Sequence, residues 1–212
     1  MKLLYGTGNP AKLAYMKRGL SSLPLELCSL ADMEAPAPVI PETGKSPLEN
    51  ARIKAHAYYE AYKIPAFSCD SGLYFDEVPE ELQPGVHVRR INGRTLSDDE
   101  MIAYYAALAA RFGTLTAQYR NAICLVMDEV HCYERMDASI SGKKFRLVSE
   151  PHPRRTPGFP LDSLSVEIES GQYYYDREGT DKIASPLSFA RFFTEAFCDF
   201  ANVTEEGASL IL

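Results

Sequence analysis

The 212 residues carry no excess of positive charge; the formal net charge is −7. A protein that grips a nucleic-acid backbone presents a basic face. Nucleic acid is therefore not expected as a partner, whereas a single nucleotide, which needs only a local positive pocket, is compatible with the balance. No apolar run approaches a membrane span, and the opening residues hold no signal-peptide core. No membrane role is expected, and the expected location is the cytoplasm. Histidine is sparse, and His56, His87, His131 and His152 share no metal-ligand spacing in the sequence. The cysteines Cys28, Cys69, Cys124, Cys132 and Cys198 are odd in number, widely spaced and free of any Cys-x-x-Cys. That pattern argues against a disulfide framework or a zinc cluster and reads as reduced thiols. Internal repeats and low-complexity segments are absent too. What is present is a globular composition, 46% hydrophobic and 24% charged, which supplies a full core. The length suits one domain, and a single bilobed domain over 1–212 is expected.

The stretch Leu3-Leu4-Tyr5-Gly6-Thr7-Gly8-Asn9-Pro10-Ala11-Lys12 organises the rest. Three apolar residues predict a short buried strand. Asn9 suits a helix N-cap and Pro10 the first helical position, with Leu13, Met16, Lys17 and Leu20 continuing the helix. A strand that turns through Gly-Thr-Gly-Asn into a helix presents free N–H groups and the positive end of the helix dipole, which is an anion site. Thr7, Gly8 and Asn9 form the loop and Lys12 adds a cation. An ordinary strand-to-helix turn has the same composition.

Leu25–Leu30 reads as a second strand, followed by a proline-rich extended loop that delivers Glu42-Thr43-Gly44-Lys45. Ser46-Pro47-Leu48-Glu49 is a capping box opening a helix to about Lys63. Ala66–Cys69 predicts a buried strand, Asp70–Leu73 the turn at its end, and Pro79–Gly93 an irregular loop. Ser97-Asp98-Asp99-Glu100 opens a third helix that closes at Gly113. Leu115–Met127 predicts a long strand, Val130–Ile140 its antiparallel partner and Phe145–Val148 a shorter strand. Pro186 starts a last helix with Phe189, Phe192, Phe193, Phe197 and Phe200 on one side. The order predicts an α/β fold with a mixed sheet.

Carboxylates beside a polyphosphate loop are what Mg²⁺ requires, because that hard ion takes oxygen ligands from one or two carboxylates plus phosphate. Glu42 and Asp70 are the candidates, and the Phe159–Asp162 loop offers an aromatic face and another carboxylate. Each has a plain structural reading as well. Asp70-Ser71-Gly72 is a common turn triplet, Glu42 a solvated loop residue, Phe159 a core residue, and Arg89 and Arg90 surface charges.

In order, Thr7-Gly8-Asn9-Pro10-Ala11-Lys12, Glu42-Thr43-Gly44 with Glu49-Asn50-Ala51-Arg52-Ile53-Lys54-Ala55, Asp70-Ser71-Gly72-Leu73 and Pro84-Gly85-Val86-His87-Val88-Arg89-Arg90 resemble the inosine triphosphate pyrophosphatase family. The resemblance is strong over residues 1–113 and fainter to about 197. It implies a long mixed β-sheet with flanking helices and two lobes around a central cleft. It also implies a homodimer that hydrolyses the triphosphates of deaminated purines (ITP, dITP, XTP) to monophosphate and pyrophosphate with Mg²⁺. On that resemblance Thr7, Gly8, Asn9 and Lys12 hold phosphate, Asp70 is general base and metal ligand, and Lys12 assists catalysis. Glu42 is the second metal carboxylate, and Ser71, Phe159, Asp162 and Lys182 contact substrate. Arg90 matches an arginine of the Pro-Gly loop.

The departures from the family pattern cluster in two places. Cys69 stands where a second acid precedes the Ser/Thr motif. Gly158-Phe159-Pro160-Leu161-Asp162 replaces Gly-Phe-Gly-(aromatic)-Asp, and Ser185-Pro186-Leu187 replaces the Ser-His-Arg that helps read a 6-keto purine. Donors that read a base lose discrimination when they go. The alternatives are thus a pyrophosphatase of altered base specificity or a non-catalytic nucleotide-binding protein on the same scaffold.

Overall fold

The computed structural model describes residues 1–177 and 186–209. Among them the strands are β1 (Lys2–Tyr5), β2 (Glu26–Cys28), β3 (Ala66–Phe75), β4 (Arg90–Ile91), β5 (Arg94–Thr95), β6 (Leu115–Val126), β7 (Cys132–Arg135), β8 (Phe145–Leu147) and β9 (Ser165–Val166). The helices are α1 (Pro10–Gly19), α2 (Pro47–Tyr62), α3 (Asp98–Phe112) and α4 (Pro186–Ser209). The main sheet runs in hydrogen-bonded order β2-β1-β3-β6-β8-β9, with β7 also on β6. β1 is parallel to β2 and β3, whereas β6, β7, β8 and β9 pair antiparallel. The fold is mixed α/β with a central mixed sheet and flanking helices. No helix of the described residues is long and apolar enough to cross a membrane.

The chain divides into two compact units. The first holds Met1–Asp70, Asn121–Ile140 and α4. Its strands obey the two-residue period of β-structure, which sends alternate side chains to opposite faces. Leu3, Tyr5, Phe67, Ile123 and Leu125 pack with Met16 and Leu20 of α1 and with Phe189, Phe192, Phe193 and Ala196 of α4. The intervening residues face α2. Leu4 and Ala66 meet Tyr58, and Ala122, Cys124 and Val126 meet Ala51 and Ala55. The four- and three-residue spacing of Ala51, Ala55 and Tyr58 is the apolar stripe of α2. Its two alanines let the helix lie close to the sheet.

The second unit holds Ser71–Arg120 and 141–177 among the described residues. Met101, Ile102, Tyr105, Leu108 and Ala109 of α3 pack on Leu73 and Phe75 of β3, Leu115 and Ala117 of β6, and Phe145 and Leu147 of β8. Ser97 caps α3 through the predicted reciprocal box with Glu100.

Four expectations change. Asp70–Leu73 is not a turn, because β3 continues through it to Phe75. Gly72 allows this, since a Cβ there would lie 3.0 Å from the Gly85 carbonyl oxygen of the bridging chain. The Pro79–Gly93 loop ends in a hairpin, β4 against β5, turned by Asn92 and Gly93 at φ of 50° and 76°. Positive φ at both central residues is the type I′ requirement that Asn-Gly meets. The partner of β6 is only Cys132–Arg135, because Asp137 folds back on Ser139 to end the strand. Ser46 caps α2 by accepting from the Glu49 N–H, but Glu49 reaches the N–H of Lys45 rather than that of Ser46.

Candidate active site

The loop after β1 forms as its residues dictate. Asn9 caps α1 by accepting from the Lys12 N–H at 3.4 Å, and the Thr7 hydroxyl oxygen accepts from the Asn9 N–H at 3.2 Å. Pro10 occupies the first helical position, where a missing N–H leaves nothing unsatisfied. Gly6 is required for packing, since a Cβ there would lie 2.2 Å from the Tyr58 ring. Gly8, by contrast, faces open space. Gly6 accepts the Ser68 hydroxyl at 3.1 Å and donates to the Phe67 carbonyl at 2.8 Å. The loop is thereby tied to β3 two residues before Asp70.

Glu42 reaches the same place from another direction. Its loop is pinned by Asn50, whose buried side chain accepts from the Gly44 N–H at 2.8 Å. A Cβ at Gly44 would lie 2.6 Å from that oxygen, so glycine is needed for the approach. One turn further along α2, the Lys54 ammonium donates to Glu42 at 2.8 Å and to Asp70 at 3.0 Å. Lys54 and Asp70 are 12% and 14% exposed, whereas Glu42 is 54% exposed. The Asp70 contact is therefore the strong half of the cluster, because an exposed pair contributes only about 0–1 kcal/mol. Burial pulls the Lys54 pKa down. The charge of Asp70 and the hydrogen bonds to both carboxylates outweigh that and hold it above the usual lysine value.

Strand alternation turns Cys69 away from the Asp70 side and into the layer of α1 and α4, against Tyr5. Burial pushes the Cys69 thiol up to about 12, while the charges of Lys12 and Lys54 draw it back and that of Asp70 adds to the rise. Lys12, Lys54 and Asp70 thus act on one point of β3. The anion loop and the carboxylate cluster are neighbours in the first unit.

Both converging oxygens belong to carboxylates, and a cation, the Lys54 ammonium, already sits between them. Hard oxygen donors around a cationic centre fit Mg²⁺, with phosphate and water completing its ligands.

The remaining candidates lie in the second unit or outside the described residues. Ser71 follows Asp70 on the extended strand and faces the opposite side. Phe159 is exposed rather than core. The N–H of Gly158, at φ 80°, donates to Asp98 at 2.8 Å, and Arg89 donates to the other Asp98 oxygen at 2.7 Å. Arg89 therefore braces that loop, and Arg90 is exposed in β4. Pro160 opens a 3₁₀ turn over Pro160–Leu164 that buries Leu161 and half-buries Asp162 near Tyr119. Lys182 and Ser185 fall outside the described residues. Asn50, Lys54 and Asp98 went unassigned from sequence. The recoverable signal was the i, i+4 spacing of Asn50 and Lys54 just inside the capped start of an alanine-faced helix.

A strand–loop–helix turn beside two converging carboxylates, on the sheet of an α/β fold, is an arrangement that can take a phosphate. The chain belongs to the Ham1 family, whose pattern matches residues 3–164. This is the inosine triphosphate pyrophosphatase family that the ordered motifs resemble. A Thermus thermophilus protein named dITP/XTP pyrophosphatase is 34% identical over 179 residues, 82% of this chain and 80% of its own. One of the same name from Rhodopseudomonas palustris is 34% identical over 190 residues, 87% of this chain and 86% of its own. Among solved structures, a HAM1 protein from Coxiella burnetii gives a TM-score of 0.73 at 21% identity, covering 95% of this chain and 99% of its own. A nucleoside-triphosphatase / dITP/XTP pyrophosphatase from Mycobacterium abscessus gives 0.65 at 25% identity, covering 99% and 98%.

Proposed function

We propose that this chain hydrolyses the triphosphates of deaminated purines, such as ITP, dITP and XTP, to the monophosphate and pyrophosphate with Mg²⁺. The reading is carried by one observation, the anion loop Thr7–Lys12 beside the Glu42–Lys54–Asp70 cluster. The names of the family relatives agree with it. The loop N–H groups, Thr7, Gly8, Asn9 and Lys12 hold the phosphates. Asp70 accepts a proton from water as its oxygen bonds to the α-phosphorus. The bond from that phosphorus to the bridging oxygen breaks, and pyrophosphate leaves. Lys54 holds the Asp70 carboxylate in place. Glu42 and Asp70 would hold Mg²⁺, which when bound supplies positive charge to the phosphate oxygens. Most of the rate comes from positioning and electrostatics.

Ser71, Phe159, Asp162 and Lys182 complete substrate contact in this reading, within a single bilobed domain acting as a cytoplasmic homodimer. Base choice is the part most open to change. Leu161 is buried in the core, and Pro186-Leu187 occupies the place of His-Arg, so a broader base range than the relatives' names imply is favoured. The test is pyrophosphate release from ITP, dITP, XTP and the standard triphosphates, with Mg²⁺ and with EDTA. Release that needs Mg²⁺ supports the reading, and the ranking of bases reports the specificity. Nucleotide binding with no release under any divalent ion would replace it with the binding-protein reading.

A further inference from the structure

Sequence spacing separates His56, Cys124 and Cys132 by up to 76 positions, which is why no metal cluster is legible there. The fold brings them together in the first unit. Ala51 and Ala55 allow α2 to lie on Ala122, Cys124 and Val126 of β6, which sets His56 over the sheet. In the β6–β7 ladder Cys132 pairs with Val126 and Cys124 with Glu134, so the two cysteines are diagonal neighbours. Their Sγ atoms lie 3.4 Å apart, and the ligand atoms of all three residues are within 4.8 Å of one another. Tetrahedral ligands on Zn²⁺ at ~2.0–2.3 Å are separated by about 3.3–3.8 Å, so closure needs only a small swing of side chains. Cys124 is buried at the base, while Cys132 and His56 are exposed at the rim and free to adjust. Glu134 stands opposite Cys124 and is held by Arg52, one turn before His56 on α2.

We infer that His56, Cys124 and Cys132 form a binding site for a thiophilic d¹⁰ cation, Zn²⁺ or Cu⁺, separate from the phosphate site. Two sulfurs and an imidazole nitrogen select such ions over Mg²⁺ or Ca²⁺. Three protein ligands leave a fourth position for water or for Glu134. A bound ion would tie α2 to β6 and β7.

The probes are Zn²⁺ and Co²⁺ added to the reduced, metal-free full chain. Zn²⁺ is followed by competition with a chromophoric chelator, and Co²⁺ by its absorption. The expected result is one tight equivalent, thiolate-to-cobalt charge-transfer absorption, and a melting temperature raised by about 5–10 °C at a hundredfold excess over Kd. Cys132→Ser, at an exposed position, should lose the tight equivalent and the charge-transfer band while remaining folded. His56→Ala should weaken binding, and Cys198→Ser should not. Asp70→Asn should leave both signals intact, which separates this site from the oxygen site. Equal Zn²⁺ binding by wild type and Cys132→Ser, or cobalt spectra without thiolate character, would overturn the assignment. So would a Cys124–Cys132 disulfide that forms in thiol-containing buffer and excludes the metal.

Discussion

The first unit and the second handle charge in opposite ways. In the first, Lys54 and Asp70 are nearly out of solvent and satisfied by one another, with Glu42 on the rim and Asn50 buried beneath. In the second, Asp98 spends its carboxylate on backbone and guanidinium donors that shape a loop, and the residue that loop presents, Phe159, is exposed. A cluster built on mutual compensation tolerates little substitution, because removing one member strands a charge. A loop shaped by its backbone can change side chains with little loss of stability. The departures from the family pattern at Pro160 and Leu161 follow that loop directly and are buried in the 3₁₀ turn.

Asp70→Asn should break that comparison most severely, lowering turnover by about 10³-fold with the fold intact. Pyrophosphate release and circular dichroism check it; turnover within tenfold of wild type would remove Asp70 as the base. Lys54→Met should come next, lowering kcat/KM by about 100-fold and stability by about 2–4 kcal/mol, since it leaves Asp70 charged and uncompensated. Urea unfolding reads the second number. Asn50→Ala should free the Glu42 loop and cost about 1–3 kcal/mol, because the buried Gly44 N–H loses its acceptor. Its Mg²⁺ requirement should rise in the same protein. Phe159→Ala, at the other pole, should change stability by less than about 0.5 kcal/mol while altering KM and base ranking.

The smallest effect is a pH dependence. Burial and the neighbouring Cys69 raise the Tyr5 hydroxyl above its ordinary 10.0, and Lys54 is held above 10.5. Each contributes its stability in full below its unfolded value and loses it as pH rises through the raised folded value. The urea midpoint should therefore fall between about pH 9 and pH 11. Tyr5→Phe should flatten part of that fall, and an unchanged slope would dismiss the Tyr5 contribution.

Legibility in the sequence followed the range of the interactions. The helix starts at Asn9-Pro10, Ser46-Pro47 and Ser97 through Glu100 were readable because a cap is made within four residues. The turn from β1 into α1 was readable for the same reason. Asn92-Gly93 carries an equally local signal, for the β4–β5 hairpin. The continuation of β3 through Asp70-Ser71-Gly72 was not readable, because it depends on the bridge between Leu73 and Gly85, which lies in the following loop. The role of Lys54 is not legible, because a lysine on a helix is usually solvated and its burial depends on Glu42 and Asp70 arriving from elsewhere. The approach of Cys124 to Cys132 likewise appears only when the register of β6 and β7 is known.

The central claim is that the cluster in the first unit directs water to the α-phosphorus. Hydrolysis of ITP in ¹⁸O-enriched water, with the products resolved by mass spectrometry, tests it most directly. The account predicts ¹⁸O in the monophosphate and unlabelled pyrophosphate, and no label transfer above background in Asp70→Asn. Label in pyrophosphate or orthophosphate would place the attack at another phosphorus and contradict it.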